Sequence, residues 1–343
     1  MASVVPALQI GRKLGNGHFG VVFLGKDSVH GDVAVKVLAR KPAHTDVEWQ
    51  AYKASFLAEA QNLSKATHRN VVQVHHIEEM PDGNSIRFCM AFCPGGSLQN
   101  AFESGPMPLQ AVRKAGTEVL MGLAALHARN MLHRDIKPGN ILIDAAGVAQ
   151  IGDFGLVTDN LLLGYASQAG YTDHIAHEIW HGRGTSAKSD VWAFGMTLYR
   201  LIHGKVWYEE SVAPKAIIKH GGFSDTLKWL PHVPKSWRRA IRKMMNDDTS
   251  ARYQTAGQVL EGISRLPIAP AWSVRVEPQL VRWEQITKTR RIVVEWKRHS
   301  PRKHEWVAWS EPLGSGRKMT LGGSGGVIGS RQALRELEVY FKA

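Results

Sequence analysis

His133-Arg134-Asp135-Ile136-Lys137-Pro138-Gly139-Asn140 runs directly into Ile141-Leu142-Ile143, so basic, acidic and amide side chains crowd a loop just ahead of a β-prone segment. Eighteen positions beyond Asp135 stands a second acidic loop signal, Asp153-Phe154-Gly155. Either aspartate alone reads as an ordinary loop carboxylate. What gives them weight is the company they keep earlier in the chain.

Upstream, Gly15-Asn16-Gly17-His18-Phe19-Gly20-Val21-Val22 carries a GxGxxG spacing. In a dinucleotide-binding βαβ unit the third glycine opens a helix. Here Val21-Val22-Phe23-Leu24 follows, which predicts a β-hairpin whose bare backbone N–H groups approach phosphates. Next comes Val33-Ala34-Val35-Lys36. Burying an unpaired ammonium is costly, so Lys36 needs an anion. Glu59 on the following helical segment is the protein partner, and ATP phosphate oxygens are the ligand such a bridged lysine could hold.

Glycine hairpin, Val-Ala-Val-Lys, helix glutamate, His-Arg-Asp with Asn140 five positions on, and Asp-Phe-Gly occur in one order. In that order they resemble the eukaryotic-type (Hanks-type) serine/threonine protein kinase family over residues 8–268. The resemblance implies an α+β, bilobal fold: a small β-rich N-lobe with one key helix (8–93) and a mainly helical C-lobe (94–268). It implies that Asp135 orients the substrate hydroxyl and accepts its proton, with Lys137 neutralising the transferring phosphoryl group. Lys36 and Glu59 complete the catalytic set. Asn140 and Asp153 would hold magnesium, or manganese in its place. ATP would lie against Gly15, Asn16, Gly17, Gly20, Val22, Ala34, Lys36, Met90, Ala91, Cys93 and Leu142. Met90 stands at the back of the adenine pocket, and Leu63, His133 and Phe154 form an apolar stack between lobes. Lysine followed by proline at 137–138 resembles the Ser/Thr-specific branch.

Further positions fit the same family. Ala176-His177-Glu178 resembles the end of the activation segment, with Arg252 placed to pair with Glu178. Asp190, in Ser189-Asp190-Val191-Trp192, is expected to hydrogen-bond the catalytic-loop backbone. Two residues depart from the pattern: His177 stands for the proline and His174 for the tyrosine. Both are read as solvent-facing. Arg134 beside Asp135 suggests a phosphate on the activation segment; Thr172 is the first candidate for self-phosphorylation, ahead of Thr158, Ser167, Tyr171 and Thr185.

The formal charge is +13, from 43 Lys and Arg against 30 Asp and Glu, which favours acidic partners without naming one. The two cysteines, Cys89 and Cys93, form no CxxC or Cys/His cluster, so neither a disulfide scaffold nor a structural zinc site is expected. Met1 to Gln9 lacks the pattern of a signal peptide, and no run of 18 apolar residues appears, so a cytoplasmic protein without a membrane span is expected.

Pro267 and Pro270 mark a boundary before a module at 271–343 with 14 Lys/Arg, 7 Asp/Glu and five of the 11 tryptophans. Strands are expected at Ser273–Val276, Arg291–Trp296 and Glu305–Trp309. A helix capped by Ser330 should bring Leu334, Leu337 and Phe341 to one face. The module is docked on, or flexibly joined to, the rest. Its tryptophans form either a small core or, with the arginines, a surface for nucleic acid; an acidic protein partner fits equally.

The leading reading is therefore an ATP-dependent kinase acting on Ser or Thr of a protein substrate, itself included. The rivals are a nucleotide-binding pseudokinase or scaffold, a kinase fold acting on a small molecule, and a nucleic-acid-binding protein led by its basic module.

Overall fold

A computed structural model describes residues 8–17, 20–42, 44–64, 67–152, 172–211 and 216–342; the side chains of 55, 56, 58–64, 172, 216 and 217 lie outside that description. His18, Phe19 and the Asp153-Phe154-Gly155 motif, with Thr158, Ser167 and Tyr171, fall outside it as well.

The first sheet contains β1 (Leu8–Gly17), β2 (Gly20–Asp27), β3 (Gly31–Ala39), β4 (Val74–Glu79) and β5 (Ser85–Ala91), in the order β1-β2-β3-β5-β4. The glycine-rich stretch forms the β1–β2 hairpin expected of it, with Gly15 opposite Val22 and Gly17 opposite Gly20. A Cβ on Gly20 would stand 2.2 Å from the Val37 carbonyl oxygen, so only glycine lets β2 lie this close to β3. Helix α1 (Asp46–Ser64) starts in a reciprocal cap. The Thr45 N–H donates to Glu48 Oε2 at 2.9 Å and the Glu48 N–H to Thr45 Oγ1 at 3.3 Å.

Strand β4 begins only at Val74. Val71 leaves the sheet to make an isolated bridge with Ile151, and the Val72 N–H donates to the Ile151 carbonyl at 2.9 Å. The helical lobe thereby holds the start of β4.

That lobe is built from α2 (Leu98–Ser104), α3 (Leu109–His127), the short ladder of β6 (Ile141–Ile143) and β7 (Ala149–Ile151), α4 (His177–Trp180), α5 (Ala187–Ser211), α6 (Ala216–His220), α7 (Phe223–Thr226), α8 (Lys235–Met244) and α9 (Ala256–Ser264). Val191, Trp192, Phe194, Met196, Leu198, Tyr199 and Ile202 are all buried on α5. A helix apolar on every side belongs in the centre of a lobe. Its regular part ends at His203, because Gly204 takes φ 68° and ψ 167°. A Cβ there would meet the Gly105 carbonyl carbon at 2.4 Å.

Behind α9 comes a third sheet, with β8 (Ser273–Glu277), β9 (Leu280–Ile286), β10 (Arg290–Arg298), β11 (Lys303–Pro312) and β12 (Met319–Gly323) in the order β12-β11-β10-β9-β8; β13 (Ile328–Gly329) pairs with β11, and α10 (Ser330–Tyr340) closes the chain. Three of these strands, β9, β12 and the two-residue β13, were not expected. In β9, buried Val281 and Trp283 alternate with Arg282 and Glu284, a period-two pattern confined to four residues. Ser330 is the first helical residue rather than the cap; Gly329 occupies that position with no side-chain bond.

The module is docked. Trp283 donates from Nε1 to His232 Nδ1 at 2.9 Å, Trp296 lies 6.2 Å from Trp207 between ring centres, and Arg298 pairs with Glu210 at 2.7 Å. Trp272, Trp283, Trp296 and Trp306 are all under 10% exposed and belong to one core with the helical lobe. The tryptophans therefore serve mostly as core, with Trp309 half-buried under Lys318.

Candidate active site

The loop 131–137 has no regular structure, and one carboxylate gives it shape. Asp190, 1% exposed near the start of α5, accepts from the His133 N–H at 2.9 Å and the Arg134 N–H at 2.8 Å. His127, the last residue of α3, reaches the same carboxylate at 2.9 Å through Nε2. The expectation for Asp190 was met, and His127 joins it. Arg134 sits at φ 66°, a left-handed backbone disfavoured for a residue with a Cβ. Two charge-assisted bonds, from its own N–H and from that of the preceding residue, oppose the strain.

His133 is fully buried. Its Nε2–H donates to the Gly152 carbonyl at 3.1 Å, and its Nδ1 accepts from the Asp135 N–H at 3.2 Å. One imidazole thus ties Asp135 to the residue just before Asp153.

Around Asp135 the polar side chains converge. Lys137 Nζ donates to Asp135 Oδ2 at 2.8 Å, and Asn140 Nδ2 donates to the Asp135 carbonyl and to Oδ2 at 2.8 and 2.7 Å. Burial raises the Asp135 carboxyl above its ordinary value, while Lys137 pulls the other way. A carboxylate whose pKa is raised is a better proton acceptor than an exposed one. Pro138–Asn140 forms a turn of 3-10 helix that brings Asn140 back onto Asp135.

The residues expected to line a nucleotide site fall on facing strands. Val22 lies opposite Lys36, and Ala34 opposite Met90. Lys36 is 3% exposed, a buried ammonium as its flanking residues demanded. Ala91 ends β5, and Leu142 reaches the following segment through an isolated bridge to Ser97. Cys89 and Cys93 are both free thiols. Desolvation pushes the Cys93 thiol up to about 11. Glu59 and Leu63 lie in α1 with side chains outside the described residues, as Asp153 and Phe154 lie outside them entirely.

Glu178 and Arg252 form the expected pair, bidentate at 2.7 and 2.6 Å, with the guanidinium 0% and the carboxylate 5% exposed. His174 overturns its expectation. It is buried, not solvent-facing: Nδ1–H donates to the Ile136 carbonyl at 3.0 Å, and Nε2 accepts from Arg200 Nη1 at 2.8 Å. Desolvation first, then Arg200, holds its pKa well below 6.5. His177 is half-buried and bonds the Ile218 carbonyl at 2.9 Å through Nδ1, so it too makes a structural bond.

Arg200 also lies over the Phe102 and Tyr208 rings, while Tyr208 donates to Asp173. This buried polar group beneath the end of the activation segment was not legible in the sequence. The bonded pairs span 26 and 35 positions, and one member is an arginine inside a largely apolar helix. Thr185, read as a lesser phosphorylation candidate, accepts from Arg134 Nε at 3.0 Å.

A β-sheet lobe with a glycine hairpin and buried lysine, set on a helical lobe whose anchored loop presents Asp135, Lys137 and Asn140, has the architecture of a protein kinase domain. The chain belongs to the protein kinase domain family, whose model matches residues 8–262. It is 29% identical over 255 residues to the serine/threonine-protein kinase PrkC of Bacillus subtilis, covering 72% of this chain and 38% of that one. It is 24% identical over 266 residues to the probable serine/threonine-protein kinase PknB of Lactococcus lactis, covering 75% and 41%. It is 33% identical over 235 residues to the MAP kinase kinase kinase mkh1 of Schizosaccharomyces pombe, covering 65% and 20%. The chain thus spans well under half the length of these relatives. Among the described residues no helix is long and apolar enough to cross a membrane.

Proposed function

We propose that this chain transfers the γ-phosphoryl group of ATP to Ser or Thr hydroxyls of a protein substrate, with its own activation segment among the targets and Thr172 the first candidate. The observation that carries the reading is the Asp135–Lys137–Asn140 cluster, held on a loop that Asp190 anchors. A scaffold has no physical need to bury and position a proton acceptor in this way.

The donor chemistry fits magnesium: Asn140 offers a carboxamide and Asp153 a carboxylate, the hard oxygen ligands this ion takes. Magnesium, when bound, neutralises phosphate charge and orients the transferring group. The chain's own residues do the rest. Lys36 supplies a buried positive charge for phosphate oxygens, and the β1–β2 hairpin supplies backbone N–H groups. Asp135 orients the attacking hydroxyl and takes its proton at Oδ1 or Oδ2. Lys137, 2.8 Å from Oδ2, neutralises charge that develops next to it. The division into 8–268 and 271–343 is part of the same proposal, with 271–343 serving mainly to cover the helical lobe.

The test is phosphate transfer from labelled ATP and magnesium to the protein itself and to a cell extract, with Asp135→Ala and Asp153→Ala run alongside and the products mapped by mass spectrometry. Label on Ser or Thr that disappears in both variants supports the proposal. Nucleotide binding by a folded chain without transfer in any condition would replace it with the scaffold reading. Attraction of the basic module to an acidic protein or to nucleic acid is tested by salt-dependent binding of the whole chain against the exposed-charge variant Lys288→Ser/Arg302→Ser/Arg317→Ser.

A further inference from the structure

The β-sheet lobe has a second polar cluster, on the face away from Lys36. Residues directly opposite across a ladder share a face. Val35 lies opposite Phe23 and Cys89, while Lys36 lies opposite Val22 and Phe88. Val33, Val35 and Cys89, all 0% exposed, form a small core of their own on that outer face. Asp27, two residues beyond Gly25 on β2, points to the same side, since Gly25 packs on the Val33 and Val35 side chains.

His76 arrives there through an irregularity. Val74 lies opposite Met90, so an unbroken ladder would put His75 opposite Cys89 and turn His76 inward. A register shift between Val74 and His76 sets His76 opposite Cys89 instead. Bulges of this kind re-aim a side chain.

The result is that a carboxylate oxygen of Asp27, a ring nitrogen of His76 and Cys89 Sγ all lie within 4.8 Å of one another. The Asp27 carboxylate is fully buried. Its Oδ1 accepts from the Val29 and His30 N–H groups, both at 2.8 Å. Oδ2 has no hydrogen-bond partner, and His76 Nε2, at 4.0 Å, is beyond hydrogen-bond range. A buried carboxylate oxygen left in this state demands a cation. His76 keeps 28% of its side chain exposed, which leaves an entry path from solvent.

We propose that Asp27, His76 and Cys89 form a site for one divalent transition-metal ion of the zinc type, stapling β2, β4 and β5 on the outer face of the sheet. The ligand set mixes oxygen, nitrogen and sulfur, which suits a borderline-soft ion and not magnesium or calcium. With metal–ligand bonds of about 2.0–2.3 Å, tetrahedral ligand atoms stand roughly 3.3–3.8 Å apart. Closure from the separations seen here takes side-chain movements of less than about 1 Å. The fourth position is open to water. This site lies apart from the phosphoryl-transfer site, so its test is independent of kinase activity.

The purified full-length chain, stripped of metal, is titrated with Co2+ and then Zn2+. One equivalent of Co2+ should give a thiolate-to-cobalt charge-transfer absorption that Zn2+ displaces. With only two cysteines in the chain, sulfur ligation can be assigned directly. The band should persist in Cys93→Ser and vanish in Cys89→Ser. His76→Ala and Asp27→Asn should each weaken Zn2+ binding at least about tenfold. Zn2+ should raise the melting temperature of the wild type and not that of Cys89→Ser. Absence of the band in the wild-type chain overturns the proposal whatever the variants do, and so does a band that survives Cys89→Ser.

Discussion

Replacing Asp190 with alanine tests whether the shape of the catalytic loop depends on one buried carboxylate. The substitution removes the acceptor for the His133 and Arg134 N–H groups and for His127. Hydrogen bonds to a charged group contribute about 1.5–3 kcal/mol each. The two backbone bonds together therefore stabilise this loop conformation by on the order of 3–6 kcal/mol. Arg134, freed from φ 66°, regains about 1–2 kcal/mol of that by relaxing out of the left-handed region. The net penalty on the native loop is thus about 2–4 kcal/mol, and Asp135 follows immediately in the chain. We expect kcat for phosphate transfer to fall on the order of 100-fold. Nucleotide affinity should change less than about threefold, because the bonds lost run to the loop and not to the β1–β2 hairpin. Asp190→Asn retains one acceptor oxygen but turns an amide donor toward a backbone donor, so its loss should be intermediate. The assay is initial-rate transfer from labelled ATP, with nucleotide binding followed by fluorescence and folding by circular dichroism. A folded Asp190→Ala chain that keeps more than about a third of wild-type kcat refutes the anchoring argument.

Three other outcomes follow from the packing. Breaking the Glu178–Arg252 pair with Arg252→Ala leaves a buried carboxylate unpaired, costing about 3–5 kcal/mol, or roughly 10 °C in Tm by calorimetry; a shift under 3 °C, on the order of 1 kcal/mol, would remove the case for the pair as a structural tie. His203 and His232 are held down to about 3 by desolvation, and His174 well below 6.5, so all three are neutral when folded. Their unfolded forms take up protons near pH 6.5, so the stability they contribute is present above that pH and is lost on acidification toward the folded values. Between pH 7 and 5.5 we expect roughly 2–3 kcal/mol of lost unfolding free energy from His203 and His232, with His174 acting in the same direction. His203→Phe should flatten the pH dependence in urea titrations by about 1 kcal/mol over that range, and an unchanged slope would contradict the assignment. Trp283→Ala opens the shared core and leaves His232 Nδ1 without its donor, costing about 3–5 kcal/mol. The chain should still melt in one transition at lower temperature; two separate transitions would show that the module folds independently.

The sequence by itself carried the layout of the candidate site, because the phosphoryl transfer proposed for it tolerates few residue types at its charged positions and packs them into short contiguous motifs. Lys36, Asp135, Lys137 and Asn140 could be picked out on that ground, and so could the hairpin, where a strand rather than a helix follows the third glycine. The Glu178–Arg252 and Asp190 contacts were legible only because each sits in a short recognisable string. What the tertiary structure decided are the interactions between residues with no such string. His174 was expected in solvent as a departure from a motif, and is instead buried by Arg200 from a helix 26 positions away. Strand β9 was missed because its alternation of apolar and charged residues spans only Val281 to Glu284, and its charges find partners only across the sheet, as Arg282 does with Glu295 at 2.8 Å. The Asp27–His76–Cys89 cluster depends on a one-residue register shift in β4. Local patterns record what each segment prefers, whereas burial and register depend on which distant surfaces meet, and that is settled only when the whole chain packs.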